Sequence, residues 1–456
     1  MPRPTPRHIA VIDIGKTNAK LVLFDAATGT QLAASSTANG VVEAAPYPHA
    51  DVERLWQFIL EGLRRFGATY GIDGISITTH GATAALVDDD GLVLPVLDYE
   101  HDGPERTRAA YEAIRPAFAE SLTPRLPGGL NLGAQLYWQA ETFPEAFARV
   151  RAILPYPQYW AWRLTGILAS EVTSLGCHTD LWAPNSGQFS SLVARLGWQK
   201  LFPPVRQAAS VLGTLRAAVA EEAGLSADTP VACGIHDSNA SLLPHLADAE
   251  PPFTIISSGT WTIAMTVGGP TDRLDPDRDS LANVDAHGRP VPTARFMGGR
   301  EFDLLVPQVA EPGDATIART IADDVQALPS FVAGVGPFGR RTPGWTVDPD
   351  NLDAATRTAA ASLYLALVTA ESLGLCGLGR RITLEGPLAR NRLYAAALAR
   401  LTGVAVHASA DSTGTSLGAS LLFGGNPPGS AGAAVAPLAA PGFDAYAANW
   451  RARAAR

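Results

Sequence analysis

Residues 8–24, HIAVIDIGKTNAKLVLF, set two apolar runs on either side of Gly15, Lys16, Thr17 and Asn18. Short β-rich runs bounded by turn residues predict strands, so the segment is expected to be a hairpin with a polar tip that exposes its backbone. The pattern returns at 253–269, FTIISSGTWTIAMTVGG, where Ser257, Ser258, Gly259 and Thr260 interrupt two strand-like runs. Two hairpins with glycine and hydroxyl tips suggest a duplicated architecture.

Between them, helical spacing of apolar residues predicts helices at about 51–70, 105–120 and 134–165, alternating with apolar strands at 72–79 and 230–235. The alternation points to α/β layering. After the second hairpin, 270–345 is dense in Pro, Gly, Asp and Arg and reads as loop-rich. A long helix over about 351–377, a strand at 381–384, a glycine turn and a helix at 391–402 complete the pattern. A break near 246–252, ADAEPP, divides the chain into domains of 1–247 and 248–456. Both ends, 1–7 and about 425–456, are rich in Pro, Ala and Gly and are expected to be partly mobile.

A chain of 456 residues exceeds what one hydrophobic core usually serves, which agrees with two domains. Its 46% hydrophobic and 17% charged residues are those of a globular protein. The net charge of -9 argues against a nucleic-acid surface and leaves room for a local site that takes a small polar or anionic ligand. Cys177, Cys233 and Cys376 are widely separated and form no CxxC pair, which fits a reduced, cytoplasmic setting. The start has four apolar residues before Asp13, too few for a signal core. No run of 18 apolar residues is present, so no membrane span is expected. Oligomeric state stays open, with a homodimer as one option.

Gly15, Lys16 and Thr17 mimic the end of a P-loop. That reading fails, because Ala10 stands where the first glycine belongs and a strand, LVLF, follows where a helix must open. The hairpin still offers N–H groups around Gly15, donors on Thr17 and Asn18, and charge on Lys16 or Lys20, a set that suits a triphosphate. Asp13, at the strand end, could hold Mg²⁺ through water. The competing reading is a surface hairpin whose polar residues serve the turn. The second tip, with Ser258, Gly259 and Thr260, favours clamping of a phosphate chain.

In VACGIHDSNASLLPHL, 231–246, a buried strand delivers His236 and Asp237 into the start of a helix. Phosphoryl transfer needs one carboxylate to accept the attacking hydroxyl's proton, and Asp237 fits that role. Spacing alone leaves it open between that base and a helix N-cap. His236 by itself reads as a structural histidine. ITTHGAT and the following DYEHD place His80, Tyr99, Glu100 and Asp102 where short polar groups beside an aromatic wall could bind sugar hydroxyls, or where an exposed loop carries unpaired charges. No HExxH spacing suggests metal-hydrolase chemistry.

In order along the chain, DIGKTNAK, the HG of TTHGAT, GIHDSNAS, SSGTWT, PFGRRTPGW and EGPLARNRLYAAALARLTG resemble the motifs of the FGGY carbohydrate kinases over nearly the whole length. The resemblance implies two ribonuclease H-like domains of the actin and hexokinase type, with an interdomain active-site cleft. It also implies ATP-dependent phosphorylation of a hydroxyl of a small sugar, a ketose, deoxyketose or polyol. By position, Asp237 becomes the base, Asp13 the Mg²⁺-linked carboxylate, Thr17 and Thr260 phosphate contacts, and Gly386 and Asn391 adenosine contacts. His80 with Gly81, Tyr99 with Glu100, and His236 fall on the sugar side. SSGTWT beside GIHD and the RNRL helix is most similar to rhamnulokinase and fuculokinase. EGP replaces a run of glycines, with Pro387 in the nucleotide turn, and DYEHD lacks the family's arginine. The alternative is a sugar- or nucleotide-sensing relative that has kept the fold and lost catalysis.

Overall fold

The computed structural model describes residues 6–409, 414–425 and 432–455, so the expectation for the extreme N-terminus falls outside the described residues. The described residues of Met1–Ala249, Asn283–Pro290 and Thr413–Ser430 form one compact unit, and those of Glu250–Ala282, Val291–Ser412 and Ala431–Arg456 form another.

The first unit is built on β1 (His8–Ile14), β2 (Asn18–Asp25), β3 (Thr30–Ala38), β4 (Gly74–Thr79), β5 (Val211–Thr214), β6 (Pro230–Ala232) and β7 (Ile235–His236). Their order is β5-β6-β4-β1-β2-β3, and β7 also pairs with β4. β1 runs antiparallel to β2, with Asp13 opposite Lys20. It runs parallel to β4, with Asp13 opposite Thr78. β7 is parallel to β4 with His236 opposite Thr79. The carboxyl ends of three parallel strands therefore share one sheet edge, the edge where α/β sheets bind ligands.

β1 is apolar at nearly every position because both faces of the sheet are covered. Ala10, Ile12 and Ile14 face a core that includes Leu55, Ile59, Leu60 and Leu63 of α1 (Val52–Tyr70) and Trp160 and Leu164 of α2 (Tyr156–Thr165). Ile9 and Val11 on the other face meet Ala240 of α3 (Asp237–Asp248), Ala419 and Leu422. Each fully buried Val, Leu or Ile among them contributes about 1.5–3 kcal/mol relative to exposure. Asp51 caps α1 by accepting from the Arg54 amide at 3.2 Å.

Two stretches later in the chain, Asn283–Pro290 and 414–425, pack with the first unit. The helix Thr415–Ser420 returns to the first unit because its small residues let it lie against α3: a methyl on Gly418 would sit 1.8 Å from the Ala240 carbonyl oxygen. The expected helix at 134–165 is three helices, Leu132–Thr142, the four-residue Pro144–Phe147 and α2, with a strand, Ala152–Pro155, before the last. Prolines 144 and 155 break the pattern, and the strand pairs with Ala84–Val87. Pro116 likewise separates the short helix Phe118–Ser121 from the helical turns Gly103–Thr107 and Arg108–Glu112.

The second unit repeats the plan with β8 (Phe253–Ser258), β9 (Thr262–Val267), β10 (Ser280–Val284), β11 (Pro290–Phe296), β12 (Arg381–Glu385), β13 (Ala405–Ser409) and β14 (Ala433–Val435), ordered β10-β11-β9-β8-β12-β13-β14. β8 is antiparallel to β9 and parallel to β12, as β1 is to β2 and β4. The duplication expected from the two hairpins extends through both sheets. Within 270–345, β10, β11 and the helices Gly298–Leu305 and Asp314–Ala322 replace much of the expected loop.

Helix α4 (Ala354–Cys376) is long and apolar enough to cross a membrane, against expectation, but 83% of its apolar window is buried in the protein. Its Thr358, Ser362, Thr369 and Ser372 hydroxyls donate to carbonyls four residues back, which lets them occupy a core. The C-terminal region, expected to be partly mobile, ends in the ordered helix Phe443–Ala454. Phe443, Tyr446, Ala447 and Trp450 recur at helical spacing and are buried, and Trp450 Nε1 donates to the Ala327 carbonyl at 2.8 Å. Residues 426–431 of that region lie outside the described residues.

Candidate active site

In the first unit the strand ends deliver the polar residues. Asp13 is the penultimate residue of β1, His80 follows β4 and donates its amide to the Ile14 carbonyl at 2.9 Å, and Asp237 is the first residue of α3. His236 occupies the cap position, and the Asp237 carboxylate accepts from its neighbour Ser238, amide at 2.6 Å and hydroxyl at 3.3 Å. Asp237 is therefore not the N-cap.

The Asp237 side chain keeps 32% exposure, while His236 Nε2 lies 3.1 Å from its Oδ1. Burial pushes the His236 imidazole down to about 4, so the ring is neutral near pH 7. A neutral ring bonds to the carboxylate only with its proton on Nε2, a tautomer consistent with the Asn239 amide nitrogen 3.5 Å from Nδ1. Burial raises the Asp237 carboxyl above the usual carboxylate range, opposed by His80 and the Ser238 bonds. Gly81 is required here for packing: a methyl on it would lie 2.6 Å from His236 Nε2.

Asp13 is 8% exposed, and Ser416, a partner not anticipated from the sequence, donates its hydroxyl to Asp13 Oδ2 at 2.5 Å. Burial raises the Asp13 carboxyl most; Ser416 and Lys20 oppose this, and Asp237 adds to it. The two carboxylates therefore feel one another. Among the described residues no cluster of three His, Cys, Asp or Glu could enclose a metal. A single carboxylate beside a second negative charge fits Mg²⁺ that keeps its waters and phosphate oxygens.

At the first hairpin tip the Gly15 amide donates to the Asn18 carbonyl at 2.9 Å, and Asn39 Nδ2 donates to the Gly15 carbonyl at 2.7 Å. Thr17 and Asn18 are exposed and joined to one another at 3.2 Å. Lys16 turns away from the expected phosphate role. It pairs with Asp98, lies 3.4 Å from Glu100 and sits over the Tyr99 ring at 4.8 Å from its centroid. His80 packs between Tyr99 and Tyr156, with ring centroids 5.5 and 5.2 Å away. His80, Tyr99, Glu100 and Lys16 thus form one group, with Glu100 exposed and Tyr99 half-buried.

In the second unit, Gly259, Thr260, Pro387 and Asn391 line a cavity of about 360 Å³ together with Gly299, Phe302, Asp303 and Arg390, which sequence reasoning did not single out. Thr260 is exposed and free to meet a ligand. The Ser258 hydroxyl is not: it donates to the Glu385 carbonyl at 2.5 Å and accepts from the Leu388 amide at 3.0 Å. Asn391 is the cap of α5 (Arg392–Thr402), accepting from the Tyr394 amide at 3.0 Å and donating to Ser362 Oγ at 2.9 Å. Both side chains shape the cavity wall through these bonds.

Residues 8–244 match the N-terminal domain of the FGGY family of carbohydrate kinases, and 250–431 match the C-terminal domain of carbohydrate kinase FGGY. The chain belongs to the FGGY carbohydrate kinases. Its fold is accordingly the two-domain α/β fold of actin and hexokinase. This FGGY kinase superposes on a carbohydrate kinase from Novosphingobium aromaticivorans with a TM-score of 0.91 and 38% identity, covering 98% of this chain and 100% of that one. It superposes on the xylulose kinase from Rhodospirillum rubrum with a TM-score of 0.78 and 20% identity, 98% of each chain covered, a likeness of fold. It is 27% identical over 347 residues to the L-fuculokinase of Salmonella typhi, covering 72% of this chain and 71% of that one. The FGGY kinase is a sugar-phosphorylating enzyme with a small-molecule sugar as substrate.

Proposed function

We propose that this kinase transfers the γ-phosphate of Mg-ATP to a hydroxyl of a small ketose, deoxyketose or polyol, with Asp237 as the base. The observation that carries the assignment is the state of Asp237. Its carboxylate is not used as a helix cap, is a third exposed, and stands at the strand-end edge beside His236 and His80. A carboxylate so placed can accept a hydroxyl proton and aim the oxygen at phosphorus, which is the main help phosphoryl transfer needs.

The substrate side is built from His80, Tyr99 and Glu100, with Lys16 setting the loop that carries the last two. The exposed Thr17, Asn18 and Thr260 supply donors to phosphate oxygens, while the Gly15 and Gly259 amides are spent on the Asn18 and Trp261 carbonyls and shape the two tips. The cavity bordered by Gly259, Pro387 and Asn391 takes the adenosine, with Gly386 shaping its turn. Asp13 holds Mg²⁺ through its coordinated water, and the ion's charge would offset that of the phosphates. The fuculokinase relative and the SSGTWT and RNRL segments favour a deoxyketose.

The test is ADP release across a panel of ketoses, deoxyketoses, aldoses and polyols. Sugar-dependent release confined to ketoses or polyols, abolished by Asp237→Asn with ATP binding retained, is the expected result. Unimpaired turnover in that variant would remove Asp237 from the role.

A further inference from the structure

Glu171 is completely buried at the end of the two-residue strand Ser170–Glu171 and caps the helix Val172–Leu175. Its Oε1 accepts from the Thr173 amide at 2.9 Å, and its Oε2 accepts from the Thr173 hydroxyl at 2.5 Å and the Ser174 amide at 3.3 Å. Helix caps are ordinarily short polar residues. A longer acid enclosed with N–H and O–H partners is a costly substitute, and burial pushes its carboxyl up to about 7 in spite of those bonds.

What the longer side chain adds is control of the Thr173 hydroxyl. A hydroxyl has one proton, and here it is given to Glu171, which leaves the oxygen to accept. The backbone N–H of His236 donates to that oxygen at 3.0 Å. The same segment runs on to Cys177, whose Sγ lies 3.6 Å from His236 Nε2. Residues 171–177 therefore hold both the main chain and the ring of the residue that precedes Asp237.

We infer that Glu171 is a positioning residue: through the Thr173 hydroxyl it fixes the His236 amide, and with it the start of α3 that carries Asp237. The functional consequence rests on the kinase reading; the linkage itself does not.

Two measurements on the full chain separate these. Hydrogen exchange at the His236 amide, followed by NMR, reads the linkage without any substrate. Thr173→Val removes the hydroxyl at nearly constant volume, Thr173→Ser keeps it, and Glu171→Gln presents a single acceptor where the acid has two. Exchange is expected to quicken about tenfold or more, the loss of a bond worth about 1.4 kcal/mol, in Thr173→Val and Glu171→Gln, and to stay near wild type in Thr173→Ser. In ADP release with an accepted sugar, kcat should fall by about 10–100-fold in the first two while KM for ATP stays within about twofold, and Thr173→Ser should recover most of it. The double variant should lose no more than the worse single, because both break one chain of bonds.

Unchanged exchange in a folded Thr173→Val or Glu171→Gln protein overturns the inference, as does a double-variant loss equal to the product of the singles. If Glu171→Gln fails to fold, the Val and Ser variants decide alone. If the wild type phosphorylates no sugar, the kinase reading falls and the exchange measurement still decides the linkage.

Discussion

A methyl group on Gly81 would lie 2.6 Å from His236 Nε2, so the missing side chain at 81 is what lets the imidazole stand beside Asp237. Gly81→Ala must push the ring, whose Nε2 also lies 3.6 Å from the Cys177 Sγ. Displacing an aligned group by about 1 Å can cost about 10²-fold in rate. Gly81→Ala is expected to lower kcat on that scale while KM for ATP stays within about twofold, and steady-state kinetics with both substrates varied checks it.

Lys16 offers a sharper test, because its sequence context and its geometry point in different directions. Beside Gly15 and Thr17 it reads as a phosphate cation, yet it is tied to Asp98, Glu100 and Tyr99. Lys16→Met leaves the nearly buried Asp98 carboxylate without its cation and loosens the loop that carries Tyr99 and Glu100. The expected outcome is a rise in sugar KM of about tenfold, roughly 1.4 kcal/mol, with KM for ATP little changed. A rise confined to ATP would restore the phosphate role.

The contrast shows what a linear reading can reach. The two hairpins, the His80 and Asp237 junctions and the layered fold were legible because each rests on local apolar periodicity and on short motifs with a strand or helix of their own. The direction taken by Lys16 depends on Asp98, 82 residues away, and the partner of Asp13 is Ser416, 403 residues away. Ser416 lies in GTSLGAS, where the only signal was small residues that allow close helix contact, as at Gly418. Ser258 and Asn391 were expected to contact the nucleotide, but the structural bonds that occupy their polar atoms come from backbone turns invisible to spacing. The strand Ala152–Pro155 was missed because its apolar run also fits a helix until its partner at 84–87 is known.

The turn at Pro387, proposed above to border the adenosine, depends on Gly386 in two ways. Its φ of +83° lies in the left-handed region, and a methyl there would fall 2.0 Å from the Ser258 carbonyl oxygen. Gly386→Ala must therefore move β8 or the turn at Pro387, both of which the Ser258 hydroxyl joins. A loss of about 2 kcal/mol or more in stability is expected, with weakened ATP binding. Denaturant melts and titration calorimetry measure the two effects.

Asp237 ties activity and stability to pH with opposite signs. Burial holds its carboxyl above the usual carboxylate range in the folded protein, with His80 and the Ser238 bonds opposing. A base must be ionised to work, so kcat/KM for the sugar should fall as pH drops through that raised value, placing the acid limb above the range of an ordinary aspartate. Stability runs the other way: the folded state holds this proton more tightly than the unfolded chain, so the contribution is fully present below the unfolded value and is lost as pH rises through the folded one. Asp237→Asn, which cannot ionise, should lose about 10²–10⁴-fold in kcat yet gain in melting temperature relative to wild type as pH is raised from 4 to 8. Thermal melts and rate profiles over the same buffers check both halves, and an aspartate that merely supported the fold would make the variant less stable across that range and leave the acid limb in place.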